Sequence, residues 1–230
     1  MHITRLHRWD VSPAEAIRIQ NELRQRVITT PQVGQVRTVA GVDVGVRDDR
    51  ARAAVVVLSY PGLAVVEKII VESPVTFPYI PGLLSFRETP AVLQAFEKLT
   101  VDPDLIIVDG QGFAHPRRFG IACHIGVLID RPTIGCAKSR LVGTHGEPGA
   151  AAGCWVELLD NGEVIGAVVR SKEATSPLYV SIGHKIDLPG AIRYVLSCCR
   201  GYRLPETSRQ AHLAASGPPD STGAIQGTLF

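Results

Sequence analysis

The stretch that decides the fold is VAGVDVGV, residues 39–46. Apolar β-branched residues alternate with small ones there, as in a strand that is buried on both faces. Asp43 interrupts the pattern. A carboxylate in such a strand is costly unless something cationic compensates it. The next two runs, 51–59 and 63–73, are equally β-rich and are separated from their neighbours by the turn sequences RDDR and YPG. Connections this short suit an antiparallel meander. Helix–strand alternation takes over downstream. A helical stretch at 82–99 leads to the apolar strand 105–108, then an amphipathic segment at 119–128 and a strand at 133–136. Strands near 155–159, 164–170 and 178–182 follow, and a last helix runs from near Asp187 to 200–201.

At the N-terminal end, Ser12 and Glu15 form a capping box with Pro13 between them, and no Gly or Pro occurs from Ala14 through Thr30. Ala16, Ile19, Leu23 and Val27 recur at helical spacing. A meander followed by alternation predicts an α/β fold with a mixed β-sheet, antiparallel strands first and parallel strands after, flanked by helices. One domain is expected over residues 1–215. The segment from Ser216 to the end, SGPPDSTGAIQGTLF, is rich in Gly, Pro and Ser and is expected to be a disordered tail over 216–230.

Composition sets the limits. With 230 residues, 45% hydrophobic and 20% charged, the chain can bury a normal core, and its formal charge of +2 announces no polyanion partner. A nucleic-acid footprint would therefore be local, with Arg117/Arg118, Lys138/Arg140 and Lys185 as candidates. Five cysteines form no CxxC pair and no Cys/His ligand spacing. An odd count without an apolar leader in MHITRLHRWDVSP predicts reduced thiols in a cytoplasmic chain, with no membrane span and no obligate oligomer, so a monomer.

Two more acidic residues stand out. Glu88, in LLSFRET, falls inside a helical stretch, and Asp109, in LIIVDGQG, ends the strand at 105–108. In a mixed sheet, Asp43 on the first strand would neighbour Asp109 at the end of the fourth, and Glu88 would reach the same point from a covering helix. A shared divalent metal explains all three, since hard ions such as Mg²⁺ prefer oxygen ligands. Carboxylates around Mg²⁺ point to phosphodiester chemistry. Asp43-Val44-Gly45 also imitates the phosphate loop of actin-like ATPases, but those need two such domains and 230 residues leave no room for them.

Five blocks, VAGVDVGV, PYIPGLLSFRE, VDGQGFAHPRRFGIACHIGV, IGCAKSRLVG and YVSIGHKIDL, resemble in order the signature blocks of endonuclease V, from about Val39 to Leu188. The resemblance implies an RNase H-like fold. It also implies a Mg²⁺-dependent endonuclease, with Mn²⁺ able to substitute, for DNA containing deaminated purines, chiefly hypoxanthine (deoxyinosine). Such an enzyme nicks the second phosphodiester bond 3′ to the lesion and leaves 3′-hydroxyl and 5′-phosphate ends. Animal members prefer inosine in RNA, and a non-catalytic binding module is the remaining alternative.

By the same resemblance, Asp43, Glu88 and Asp109 match the metal-binding carboxylates. Lys138 matches a basic residue near the scissile phosphate, and His184, in SIGHKI, a histidine near the metal. PYIPG places Tyr79 as a rigid wedge between Pro78 and Pro81. Gly82, Leu84, Gly110, His115, Gly120 and Ile121 match the pocket for the flipped base, His115 orienting it. Arg117, Arg118 and Lys185 are candidate contacts to the DNA backbone. Gln111 lies at a variable position and carries no claim. Asp187 is expected to cap the helix after it. Outside the blocks, Gln226, Leu229 and Phe230 in the C-terminal QGTLF resemble a QxxLF peptide that docks on a sliding clamp.

Overall fold

The computed structural model describes residues 1–217. Helix α1 (Pro13–Leu23) runs into a 3-10 turn (Arg24–Arg26), followed by strands β1 (Thr38–Arg47), β2 (Arg50–Ser59) and β3 (Val65–Pro74). Next come α2 (Leu84–Glu97), β4 (Leu105–Val108), α3 (Ile121–Ile129) and β5 (Thr133–Ala137). The last elements are β6 (Trp155–Asp160), β7 (Glu163–Val169), β8 (Leu178–His184), α4 (Leu188–Ser197) and α5 (Glu206–Ser216).

The strands form one eight-stranded sheet in the order β3-β2-β1-β4-β5-β8-β7-β6. β4 lies parallel to both β1 and β5, and every other pairing is antiparallel. This is the mixed sheet expected from the order of the runs, and it agrees with the RNase H-like fold that the resemblance implies. Register brings two of the acids together: Val42 pairs with Val108, and the Asp109 N–H donates to the Val42 carbonyl at 2.9 Å. Asp43, within β1, and Asp109, the residue after β4, therefore lie side by side on two adjacent parallel strands.

Alternation along the strands gives each face its own core. On one face Val39, Ala54, Val56, Leu105 and Ile107 pack with Ala191 and Val195 of α4 and with Ala211 and Ala215 of α5. On the other, Ala40, Val42, Val55 and Ile106 pack with Val92 and Phe96 of α2 and with Ile125 and Leu128 of α3. Helix α1 adds a third layer, burying Ala16, Ile19 and Leu23 against Phe86, Phe119, Cys123 and Val127. The capping geometry follows the sequence. Ser12 Oγ accepts from the Glu15 N–H, and an Asp187 carboxylate oxygen accepts from the Gly190 N–H.

Two expectations change. The first helix stops at Leu23 and its 3-10 turn at Arg26, so Val27, read at helical spacing, lies outside it; the chain beyond bonds to the β8–α4 connection, Lys185 N–H donating to the Ile28 carbonyl and Gln32 N–H to the Lys185 carbonyl. Ser216 closes α5 and does not open a tail. Residues 218–230, which include Gln226, Leu229 and Phe230, lie outside the described residues. Among the described residues no helix is long and apolar enough to cross a membrane.

Candidate active site

Gly41 and Gly45 lie two residues to either side of Asp43 and so share its face of β1. A Cβ on Gly41 would stand 2.0 Å from the Thr207 carbonyl oxygen, and one on Gly45 would stand 3.1 Å from that of Ala215. The two glycines thus open a groove in which α5 lies directly on the strand. Its buried positions are correspondingly small: Thr207, Ser208, Ala211, Ala214 and Ala215. This close contact sets His212 against Asp43, with Nδ1 at 2.7 Å from Oδ2. Ligand atoms of Asp43, Asp109 and His212 all lie within 4.8 Å of one another.

Glu88 completes the acidic group from α2 on the opposite face. Burial, with Asp43 and Asp109 adding their fields, raises its carboxyl to about 8. Asp109 is raised as well, by burial and by Asp43, against the pull of Lys138, whose Nζ is ion-paired with Oδ2. Three carboxylates converging under partial burial repel one another, and a divalent cation relieves this strain. The donor set also fits: carboxylate oxygens with one imidazole suit a hard or borderline ion. Asp43, Asp109 and His212, with Glu88 beside them, are the residues that could hold it.

One cavity of about 320 Å³ opens beside this centre. That volume lies at the lower end of the ~300–1,000 Å³ range of ligand pockets, which suits a single base. Asp109 and Lys138 line it, together with Tyr79, Pro81, Gly82, Leu84, Gly110, His115, Gly120 and Ile121. Tyr79 is 70% exposed at its mouth.

The Gly82 carbonyl anchors one wall, accepting from His115 Nε2 at 2.9 Å, Gln20 Nε2 at 3.0 Å and Arg117 Nη2 at 2.6 Å. Gly82 sits at φ +80°, and a Cβ there would come within 2.8 Å of the Arg117 guanidinium. Because a carbonyl can only accept, His115 carries its proton on Nε2, and its Nδ1 is left to accept from the Arg117 N–H at 3.1 Å. Burial, then the nearby Arg117 charge, pushes His115 down to about 4. It is a neutral, fixed strut of the pocket.

Other predicted residues do not reach this place. His184 pairs with Thr133 at the start of β5, whereas Lys138 follows the end of that strand. It is buried at the opposite end of the sheet, where Nδ1 accepts from the Ile28 N–H and Nε2 faces Asp130. Its position ties down the segment after α1 and gives it no access to the carboxylates. Lys185 likewise bonds Asp130, Nζ to Oδ1 at 2.7 Å. Arg118 is spent on Asp160 at 2.8 Å and Glu163 at 2.7 Å, fastening the β6–β7 turn to the pocket loop. Arg117 braces the pocket wall through Gly82 and Gln20.

The Endonuclease V family model matches residues 21–213. The chain belongs to the endonuclease V family. It is 56% identical over 219 residues to the endonuclease V of Trichormus variabilis, covering 94% of this chain and 99% of that one. To the Roseiflexus sp. endonuclease V it is 54% identical over 208 residues, covering 90% and 94%. A crystal structure of endonuclease V from Streptomyces avermitilis superposes with a TM-score of 0.87 at 41% identity, covering 94% of this chain and 96% of that one. Endonuclease V of Ciona intestinalis, solved with a 23mer DNA containing an inosine followed by a ribo-adenosine, superposes with a TM-score of 0.78 at 30% identity over 88% and 95%. As a member of the family, the chain is an endonuclease.

Sequence reasoning missed His212. The signal was present in two places: the glycines flanking Asp43 on one strand face, and the helical spacing of small residues at 207, 208, 211, 214 and 215.

Proposed function

We propose that the chain is a divalent-metal-dependent endonuclease, with Mg²⁺ as its ion and Mn²⁺ able to replace it, that recognises deaminated purines in DNA. Hypoxanthine is the chief lesion, and the second phosphodiester bond 3′ to it is hydrolysed to leave 3′-hydroxyl and 5′-phosphate ends. One observation carries this reading: a base-sized cavity shares Asp109 with the carboxylate–histidine cluster, and Lys138, ion-paired with Asp109, lines it as well. A flipped base and a backbone phosphate can then be held at the same time.

When bound by Asp43, Asp109, His212 and Glu88, the ion would neutralise phosphate charge and acidify water. The protein's own groups do the rest. Tyr79, stiffened by Pro78 and Pro81, fills the gap that the flipped nucleotide leaves in the stack. Gly82 and Gly110 keep the pocket walls bare, so that main-chain groups meet the base edge; hypoxanthine offers an N1–H donor and an O6 acceptor where adenine differs at both. His115 holds that wall in one protonation state. Lys138 directs its ammonium at the phosphate next to Asp109, stabilising charge that grows in the transition state.

A duplex labelled at each end and carrying one deoxyinosine tests the reading. A Mg²⁺-dependent nick one nucleotide beyond the lesion, with 3′-hydroxyl and 5′-phosphate ends, is expected, and an unmodified duplex should stay intact. Equal cutting of both duplexes would refute lesion recognition. The Ciona complex, with its ribo-adenosine after inosine, favours running inosine RNA alongside as the second reading. Cleavage of RNA alone would transfer the assignment to RNA. The proposal extends to a cytoplasmic repair role in which Gln226, Leu229 and Phe230 dock on a sliding clamp. Deleting residues 226–230 should abolish clamp binding without slowing the nick.

A further inference from the structure

Lys138 is not held by the sheet. β5 ends at Ala137, so the carbonyls of Lys138 and Ser139 lie beyond the strand's ladder. Two side chains from elsewhere supply their donors. Gln111 Nε2 donates to the Ser139 carbonyl at 2.8 Å, and Arg203 Nη2 to the Lys138 carbonyl at 2.9 Å. Arg203 also donates to Ser176 O at 2.7 Å and Pro177 O at 3.0 Å, and its own carbonyl accepts from Ser171 Oγ at 2.5 Å. It is therefore an anchored point and not a roaming side chain.

Gln111 carries the more telling feature. Its Oε1 is buried and has no hydrogen-bond partner, although the residue lines the cavity. A methionine would fill the same space without stranding an acceptor. What distinguishes glutamine here is the donor it aims at Ser139.

We propose that Gln111 and Arg203 are positioning residues that clamp the Lys138–Ser139 turn at two successive carbonyls and so hold the Lys138 ammonium against Asp109. The proposal rests on the nuclease reading above, because it assigns Lys138 its work at the phosphate. Lysine has four rotatable side-chain bonds and loses its aim readily when its backbone shifts. A fixed turn restricts that freedom in advance of the reaction.

The test is a double-mutant cycle under single-turnover conditions, on the deoxyinosine duplex with saturating Mg²⁺. Gln111→Met should slow the nick about tenfold at saturating enzyme in the chain that has Lys138. In a Lys138→Ala background the same substitution should slow it less than about twofold, because the clamp acts through a group already gone. Arg203→Lys should follow the same pattern. Equal slowing in both backgrounds, or none in either, would overturn the clamp.

A second readout does not depend on cleavage. The chain has five lysines, and reductive ¹³C-methylation labels them along with the N-terminal amine, so that Lys→Arg variants assign the Lys138 signal. The Lys138 signal should stand apart in the native chain and collapse towards the exposed lysines in Gln111→Met; an unmoved signal would overturn the clamp. If the native chain failed to nick deoxyinosine, the nuclease reading would fall, and this signal would still decide on the clamp.

Discussion

His212 and Asp43 are 169 residues apart in the chain, and His212 Nδ1 stands 2.7 Å from Asp43 Oδ2. The contact depends on the absence of two side chains, those of Gly41 and Gly45, where the α5 backbone meets β1. The candidate metal site, drawn from β1, the residue after β4, α2 and α5, is therefore as much a product of glycine placement as of acid placement.

The acid at Glu88 has a consequence for metal binding. With its carboxyl raised to about 8, most metal-free molecules hold a proton there at pH 7. Calorimetry in two buffers of different ionisation enthalpy should show about one proton released per metal bound at pH 7, falling away by pH 9. Absence of release would contradict the raised carboxyl. The sign for stability is the reverse. The folded value exceeds the unfolded one, so this contribution is fully present below about 4.5 and is lost as pH rises through 8. Glu88→Gln should therefore stabilise the metal-free protein at pH 8 by on the order of a few kcal/mol while abolishing turnover.

His115 makes an acid-side prediction. Its folded value, about 4, lies below the unfolded 6.5, so the unfolded chain takes up the proton first. Stability should fall as pH drops from 6.5 towards 4. His7 and His124, which meet Nε2 to Nε2 at 2.7 Å, are also lowered, both chiefly by burial, and act in the same direction. A chemical-denaturation series from pH 7 to 4 measures it. His115→Asn should flatten the slope in part, and a slope identical to the native one would count against His115.

Tyr79 is exposed and stabilises little, so its replacement should separate binding from folding. Tyr79→Ala should weaken binding to the deoxyinosine duplex by about 1–3 kcal/mol, the range for an aromatic stacked on a base. The melting temperature and metal affinity should not move. Unchanged duplex affinity would remove the wedge from the account.

Arg118 and Lys185 have acidic partners, so neither should count among the phosphate contacts. For Arg118→Ala and Lys185→Ala, the plot of log K against log salt should keep its native slope, where losing a true phosphate contact flattens it by about 0.9. Each variant should lower the melting temperature by about 2–4 °C. A flattened slope for either would return that residue to the DNA interface.

Much of the fold could be read from the sequence because its signals are local. RDDR and YPG mark the meander, and LIIV with Asp109 after it marks the end of a buried strand. The pocket residues were legible as well, since prolines and glycines in PYIPG and DGQG constrain the backbone directly. Helix α5 was not, because its buried face consists of alanine, serine and threonine and lacks a large apolar stripe to give it away. His212 was lost with that helix. His184, in a strand–loop block beside a lysine, has the local look of a site residue. Only the register of β5 with β8 shows that it faces the other end of the sheet. The ion pairs that occupy Arg118 and Lys185 join residues 42 to 55 positions apart, beyond any local pattern.

The most direct test of the four-element metal centre compares two histidines. Nicking of the deoxyinosine duplex should be followed across a Mg²⁺ titration for the native chain, His212→Ala and His184→Ala, with melting curves for each. The account predicts that His212→Ala loses at least about 100-fold in rate or needs far more Mg²⁺, since even outer partners of a metal ligand are worth 10–100-fold. His184→Ala should melt earlier yet cleave within about threefold of native once folded. The reverse pattern, with His184 essential and His212 dispensable, would contradict the centre described here.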